Sequence, residues 1–298
     1  LARRHVPPDA SLTRQPAARK ALASPFTPGI IRLMDVQLGC MNRPWTQFTF
    51  GDALSGIAGA GFSAFGFLAQ QRQMLINAST TPEDVDAAVA QVRRHGLEPA
   101  FIPSSIAMDQ SEADAVAQAQ RLVDNAKRAG VPVLLEMGHS KPENFQQYFA
   151  VMRRAAPYAE QHGITIALKP HGGLSTTGDD CQRAIETVDH PAYRLCFDPG
   201  NLLYYAGQRP EVELPRLAPY VVAMCVKDET GGSGPNRSVS VTPGDGEVDF
   251  PAVFKILNDH GFAGKPAIVE TLAGTTLDEV NREAKRGYEY LTQVLRAT

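Results

Sequence analysis

The chain has 298 residues, 43% of them hydrophobic, which is enough apolar material for a sizeable core. Its 29 lysines and arginines stand against 32 aspartates and glutamates, and the net charge of −3 gives no general basic field to recommend nucleic acid or an anionic membrane as partner. No apolar run approaches the roughly 18 residues that span a bilayer.

Residues 1–28, rich in Arg, Pro, Ala and Ser, lack sustained periodicity and are expected to form an N-terminal extension, with one domain over 29–298. The chain starts at Leu1 and not at Met, so localisation stays open. A cytoplasmic protein is favoured, and export is the alternative if a leader was removed ahead of Leu1. Cys40, Cys181, Cys196 and Cys225 show no CxxC spacing and are expected to be reduced and buried.

From Gly29 the pattern becomes regular. A first strand is expected over 30–39, then a short helix over 50–61 that ends in glycine. The second strand spans 62–69. Thr81-Pro82-Glu83-Asp84 caps a helix running to His95-Gly96, with proline at its first position and acids in its first turn. Strand three covers 98–103 and is followed by a helix over 111–130. Strand four covers 131–138 and its helix 143–163. Strand five (164–170) precedes a helix over 179–188, and strand six (193–198) a weaker one over 211–218. Strand seven (221–228) is followed by a helix over 250–261, strand eight (266–270) by a last helix over 277–295.

Eight apolar strands separated by helices imply a parallel sheet buried on both faces. The count favours an α/β fold, a single closed (β/α)8 TIM barrel, over an open doubly wound sheet, and there is neither a Gly-rich dinucleotide fingerprint nor a P-loop to favour the latter. In such a barrel the chemistry sits at the carboxyl ends of the strands.

The strand ends carry Gln37, Glu136, His139, Lys169, His171, Asp198, Asn201, Cys225, Lys227, Asp228 and Glu270. Carboxylates from three strands converging on one mouth repel unless a cation, a proton or a lysine lies among them. A divalent metal, Lys169 as an internal counter-ion, or both would answer that need. Two readings stand for Glu136: a structural ion pair with Lys169, or a catalytic group. His171, just past strand five, is placed for a substrate or metal contact, and Cys225 reads as core. The Gly- and Ser-rich stretch 229–249 is long for a barrel loop and reads as a lid or substrate wall. Arg237 within it has two readings, a substrate contact or a mobile surface arginine.

The segments ALKPHGG (167–173), FDPGN (197–201), VKD (226–228), TPGDGEVDF (242–250) and IVET (268–271) resemble the xylose isomerase-like barrel superfamily of sugar isomerases and epimerases, inosose dehydratases and metal-dependent apurinic endonucleases. The resemblance implies a divalent cation held by Glu on strand five, Asp on strand six, His on strand seven and Glu on strand eight. Asp198 and Glu270 match, whereas Lys169 and Cys225 take the other two places. Either Glu136 or His171 completes a shifted site with Asp198 and Glu270 for Mn, Mg or Zn, or the Lys169 ammonium replaces the metal.

The expected activity is isomerisation, epimerisation or lysis of a sugar or keto-sugar by proton abstraction beside a carbonyl. Glu270 or Glu136 would be the base, with Lys169 and His171 assisting. Asn201, Lys227, Asp228, Arg237 and His139 are candidates for binding substrate. A small-molecule carbohydrate is the expected partner, with no nucleic acid and no membrane, and a homo-oligomer stays open. The alternatives are a non-catalytic carbohydrate-binding barrel with a decayed metal site and, third, an apurinic endonuclease-like enzyme, which the net charge and the missing strand-seven His oppose.

Overall fold

The computed structural model describes residues 34–232 and 234–298. The expected extension over 1–28 and the opening residues of the expected first strand lie outside them.

Eight barrel strands alternate with helices along the chain. They are β1 (Gln37–Met41), β2 (Ala64–Gly66), β3 (Glu98–Ser104), β4 (Val133–Glu136), β5 (Thr165–Leu168), β6 (Tyr193–Phe197), β7 (Val221–Val226) and β8 (Pro266–Val269). The helices that follow them are α1 (Phe50–Ala60), α2 (Pro82–Arg94), α3 (Glu112–Ala129), α4 (Phe145–Gln161), α5 (Gly178–Val188), α6 (Pro210–Leu217), α7 (Phe250–Asp259) and α8 (Leu277–Ala297). Every strand pairs in parallel with its sequence neighbours, and β1 closes the barrel against β8.

Local chemistry sets the helix starts. Thr49, Thr81, Ser111, Thr177 and Thr276 each accept the backbone N–H of an acid three residues on, Asp52, Asp84, Asp114, Asp180 and Glu279. These hydrogen bonds satisfy amides that the first turn leaves unpaired, and the acids favour the positive end of the helix dipole.

The core divides into two shells. Large side chains such as Trp45, Phe65, Tyr148 and Phe254 fill the space between strands and helices. Inside the barrel the residues are mostly small: Ala64, Ala100, Ala167, Cys196, Ala223 and Cys225, with Val133, Leu135 and Ile268. All four cysteines are free and buried, as their spacing suggested.

Three details differ from expectation. The first strand begins only at Gln37, which pairs with Pro266, the first residue of β8. Gln37 therefore lies at the amino end of the barrel, on the rim opposite the strand ends that carry the other candidates. The second strand is three residues long, and beyond it Ala69–Gln70 and Gln73–Met74 form a small hairpin whose turn residues Gln71 and Arg72 both have positive φ. After β6 the chain makes one tight turn over Pro199–Asn201 and a π-type turn over Leu202–Ala206 before α6.

Candidate active site

Strand side chains alternate between faces, so residues two apart point the same way. Ala167, Cys196, Cys225 and Ile268 face the barrel interior. Two residues on, at the carboxyl ends of β5, β6, β7 and β8, stand Lys169, Asp198, Lys227 and Glu270, which meet in one buried cluster. Arg43, two residues past Met41 on β1, joins them by pairing with Glu270.

The Lys169 ammonium lies 3.1 Å from Asp198 Oδ2 and also donates to Glu270 Oε2. Lys227 Nζ lies 3.4 Å from the same Asp198 oxygen, 3.0 Å from Glu270 Oε1 and 3.1 Å from Asn201 Oδ1. Burial opposes the charge on Lys169, but the Glu270 and Asp198 carboxylates overcome it and hold the ammonium well above its ordinary pKa. Burial likewise works against ionised Glu270, yet Lys169, Lys227 and Arg43 pull its carboxyl well below the usual range. Three formal cations face two carboxylates, leaving one positive charge in excess.

The turn after β6 fixes this arrangement. Asp198 Oδ1 accepts the Asn201 amide at 2.9 Å, and Asn201 Nδ2 donates to the Pro170 carbonyl at 2.6 Å. Gly200 is required here because a Cβ would stand 2.7 Å from the Lys227 carbonyl oxygen. Asn201 is thus a brace between β5, β6 and β7 that aims Lys227.

Glu136 does not belong to this cluster. Leu135 faces the barrel interior, so the alternation sends Glu136 to the other side, and among the described residues Lys169 pairs with Asp198 and Glu270 rather than with it. Instead Glu136 lines an adjacent cavity of about 770 Å³, together with Ser104, His139, His171, Thr176 and Tyr205. Its Oε1 accepts the Gly138 amide at 3.1 Å, while Oε2 has no hydrogen-bond partner. Burial raises its pKa from 4.5 to about 7, against the opposing pull of Ser104 and the amides of Gly138 and Met137.

His171 stands on the same cavity wall, its ring 5.5 Å from that of Tyr205. Burial first, then the charges of Lys169 and Lys227, depress its pKa, so it is neutral near pH 7. His139 also lines the cavity, but its Nδ1 accepts the Lys141 amide at 3.2 Å, which commits that nitrogen to its own loop.

Asp228 and Arg237 serve the loop that follows β7. The Asp228 carboxylate accepts the backbone amides of Glu229, Gly244, Gly246 and Val248, at 2.9 to 3.1 Å. Facing away from Lys227, it draws the two ends of that loop, Glu229 and 244–248, around itself. A Cβ at Gly246 would run into Asp228 and the Glu229 carbonyl, which explains the glycine in PGDGEVD. The Arg237 guanidinium stacks 4.7 Å from the centre of the Tyr204 ring and donates to the Tyr204 carbonyl at 2.9 Å, and Arg237 is not among the residues lining the cavity.

Arg43, Ser104 and Tyr205 were not singled out from the sequence. For Arg43 the signal was present, since it lies two residues beyond an inward-facing strand residue, whereas Tyr205 arrives through an irregular turn that no periodicity announces.

Asp198, Cys225 and Glu270 bring one ligand atom each within 4.8 Å of one another, and neither Glu136 nor His171 joins that group. The shifted site expected from the sequence is therefore not assembled. Both Glu270 oxygens accept hydrogen bonds from the Lys169 and Lys227 ammoniums, Asp198 Oδ2 makes no hydrogen bond but is ion-paired with them at 3.1 and 3.4 Å, and burial pushes the Cys225 thiol well above its ordinary pKa, so it is not a thiolate. Two unit charges about 4 Å apart repel by about 4 kcal/mol at an effective dielectric near 20, and a divalent ion meets about twice that from each ammonium. The residues present do not fit such an ion.

With this geometry the family is defined. The xylose isomerase-like TIM barrel model matches residues 55–296, and the chain belongs to that family. Its relatives include an inosose dehydratase of Erwinia tasmaniensis, 30% identical over an alignment 149 positions long that covers 44% of this chain and 49% of that protein. The chain spans about half the length of the curated relatives it matches. Among solved structures, D-psicose 3-epimerase with D-tagatose from Clostridium cellulolyticum superposes with a TM-score of 0.68 at 15% identity, over 87% of this chain and 99% of that one. A xylose isomerase-like barrel protein from Mycobacterium smegmatis, in complex with magnesium, superposes with a TM-score of 0.67 at 19% identity, over 83% and 88%. At these identities the structural likeness is one of fold.

Proposed function

We propose that the protein is a carbohydrate-acting enzyme that moves a proton at the carbon beside a carbonyl in a keto-sugar or cyclic keto-polyol, as an isomerase, epimerase or lyase. The observation that carries this reading is Glu136: a buried carboxyl at a cavity wall, with one oxygen unpartnered and a pKa of about 7. A group that titrates at working pH exchanges protons in both directions. Glu270, the other candidate base, is held ionised by three cations and is a poor proton acceptor.

In this scheme Glu136 takes the proton from carbon as negative charge develops on the substrate oxygen. Neutral His171, on the same cavity wall, faces that oxygen, and the excess positive charge of the neighbouring Arg43–Lys169–Lys227 cluster, whose lysines already act on His171, stabilises it through its field. Asp198 and Glu270 keep both ammoniums fixed in place. In an epimerase a second donor protonates the same carbon from the opposite face, in an isomerase Glu136 passes its proton to the neighbouring carbon, and in a lyase it passes the proton to the β-hydroxyl, which the enolate expels as water. The curated relatives' name, inosose dehydratase, supports the last of these.

The test is carbon-bound hydrogen exchange in D2O, followed by NMR across a panel of keto-sugars and inososes. Wild-type protein should exchange the α-hydrogen of at least one, and Glu136→Gln should lose that exchange while binding the compound as before. Undiminished exchange by Glu136→Gln would refute the assignment. Tight sugar binding with no exchange would select the binding-barrel reading. For the endonuclease-like reading, the described residues offer no further cluster of metal-ligating side chains.

A further inference from the structure

We propose that the Lys169 and Lys227 ammoniums occupy the place of a divalent cation, so that this barrel works as a metal-independent member of its family. The inference rests on the reading of the strand-end cluster as the site that stabilises a substrate oxygen, but its own test needs no substrate.

Asp198 and Glu270 are the two carboxylates here that a cation could bridge, and the Lys169 ammonium bridges them. Lys227 spans the same pair from β7, at 3.4 Å from Asp198 and 3.0 Å from Glu270. Each carboxylate therefore contacts both ammoniums, as it would a shared ion. Two ammoniums supply the formal charge of one divalent ion, are held at the ends of β5 and β7, the strands on either side of the one that carries Asp198, and need no loading. Asn201 and Arg43 complete the shell, the first by accepting from Lys227 and the second by pairing with Glu270.

The substitution also changes what the site can do to a substrate. A metal takes a substrate oxygen as a direct ligand and activates water. Ammonium groups instead stabilise an oxyanion through charge and hydrogen bonds. Cys196 and Cys225, with sulfurs 3.7 Å apart, lie in the apolar layer beneath the ammoniums. That floor seals the cluster from below, so any substrate oxygen reaches it from the mouth.

The experiment has two parts. The full chain, purified without chelator, is analysed for bound metal and then titrated with Mn2+, free aqueous Mn2+ being read by its paramagnetic resonance signal. Wild-type protein should carry no stoichiometric metal and should leave the aqueous signal unchanged up to about 1 mM Mn2+. About one metal per chain, or saturable binding tighter than about 0.1 mM, would overturn the proposal. In the second part Lys169→Glu, which adds a carboxylate and removes an ammonium, should gain at least about tenfold in Mn2+ affinity and melt at higher temperature with Mn2+ than without. A folded Lys169→Glu protein that binds Mn2+ no better than wild type would also overturn it, because the ammonium would then not be what excludes the ion. Should that variant fail to fold, the wild-type titration decides alone. Absence of turnover on every sugar would count against the proposed reaction and leave the Mn2+ result intact.

Discussion

The Lys227 ammonium donates to Asn201 Oδ1 at 3.1 Å, and the other end of the same amide donates to the Pro170 carbonyl at 2.6 Å. One buried side chain therefore joins the ends of β5, β6 and β7 and fixes where the second ammonium points. Asn201→Ala should cost about 2–3 kcal/mol of stability, because it leaves a buried carbonyl and a buried ammonium each short of a partner. Urea unfolding measures this, and a loss below about 0.5 kcal/mol would mean that Asp198 and Glu270 hold Lys227 unaided.

Lys169→Met should cost about 3–5 kcal/mol by leaving Asp198 and Glu270 with less cationic compensation. Its pH signature is specific. Glu270 is depressed well below 4.5 when folded, so its contribution is present above the unfolded pKa and is lost as pH falls through the folded one. Removing Lys169 raises the folded pKa towards the unfolded value and shrinks that contribution. Acid unfolding followed by circular dichroism should therefore begin at higher pH in the variant. Coincident acid transitions would show that Lys169 does not hold Glu270 ionised.

Glu136 carries the opposite sign. Its folded pKa of about 7 lies above the unfolded 4.5, so the folded state binds more protons between these values and stability falls as pH rises through the window. The shift corresponds to about 3 kcal/mol. Glu136→Gln should remove that pH dependence and be more stable than wild type at pH 8 by up to this amount. In the wild type, kcat/KM for proton exchange should rise through pH about 7 as the carboxylate forms. A profile flat across that range would assign the base elsewhere.

Asp228 should prove structural. Replacing it by Ala strands backbone amides of Glu229, Gly244, Gly246 and Val248, and stability should fall by at least about 3 kcal/mol. Limited proteolysis should cut within 230–248 far faster than in wild type. Gly246→Ala should give a weaker version of the same phenotype, since its Cβ displaces the Asp228 carboxylate. An Asp228→Ala protein with an intact loop and lost sugar binding would return Asp228 to the substrate.

Much of this protein was legible in its sequence. The alternation of apolar strands with capped helices dictated the closed barrel, because each apolar run had to be buried on both faces and each capping Ser or Thr marked where a helix began. Motifs at the ends of β5 to β8 named four residues, Lys169, Asp198, Lys227 and Glu270, that do meet.

What the sequence left undecided was direction. Glu136 and Lys169 both end neighbouring strands, yet one faces the cavity wall and the other the barrel axis, and Lys227 and Asp228 are adjacent in the chain but serve different structures. A strand's side chains reverse face at every residue, so which face each one takes depends on a register set by the neighbouring strands and not by the residue itself. Only the closed barrel fixed that register, and with it the choice between an ion held by carboxylates and carboxylates held by lysines.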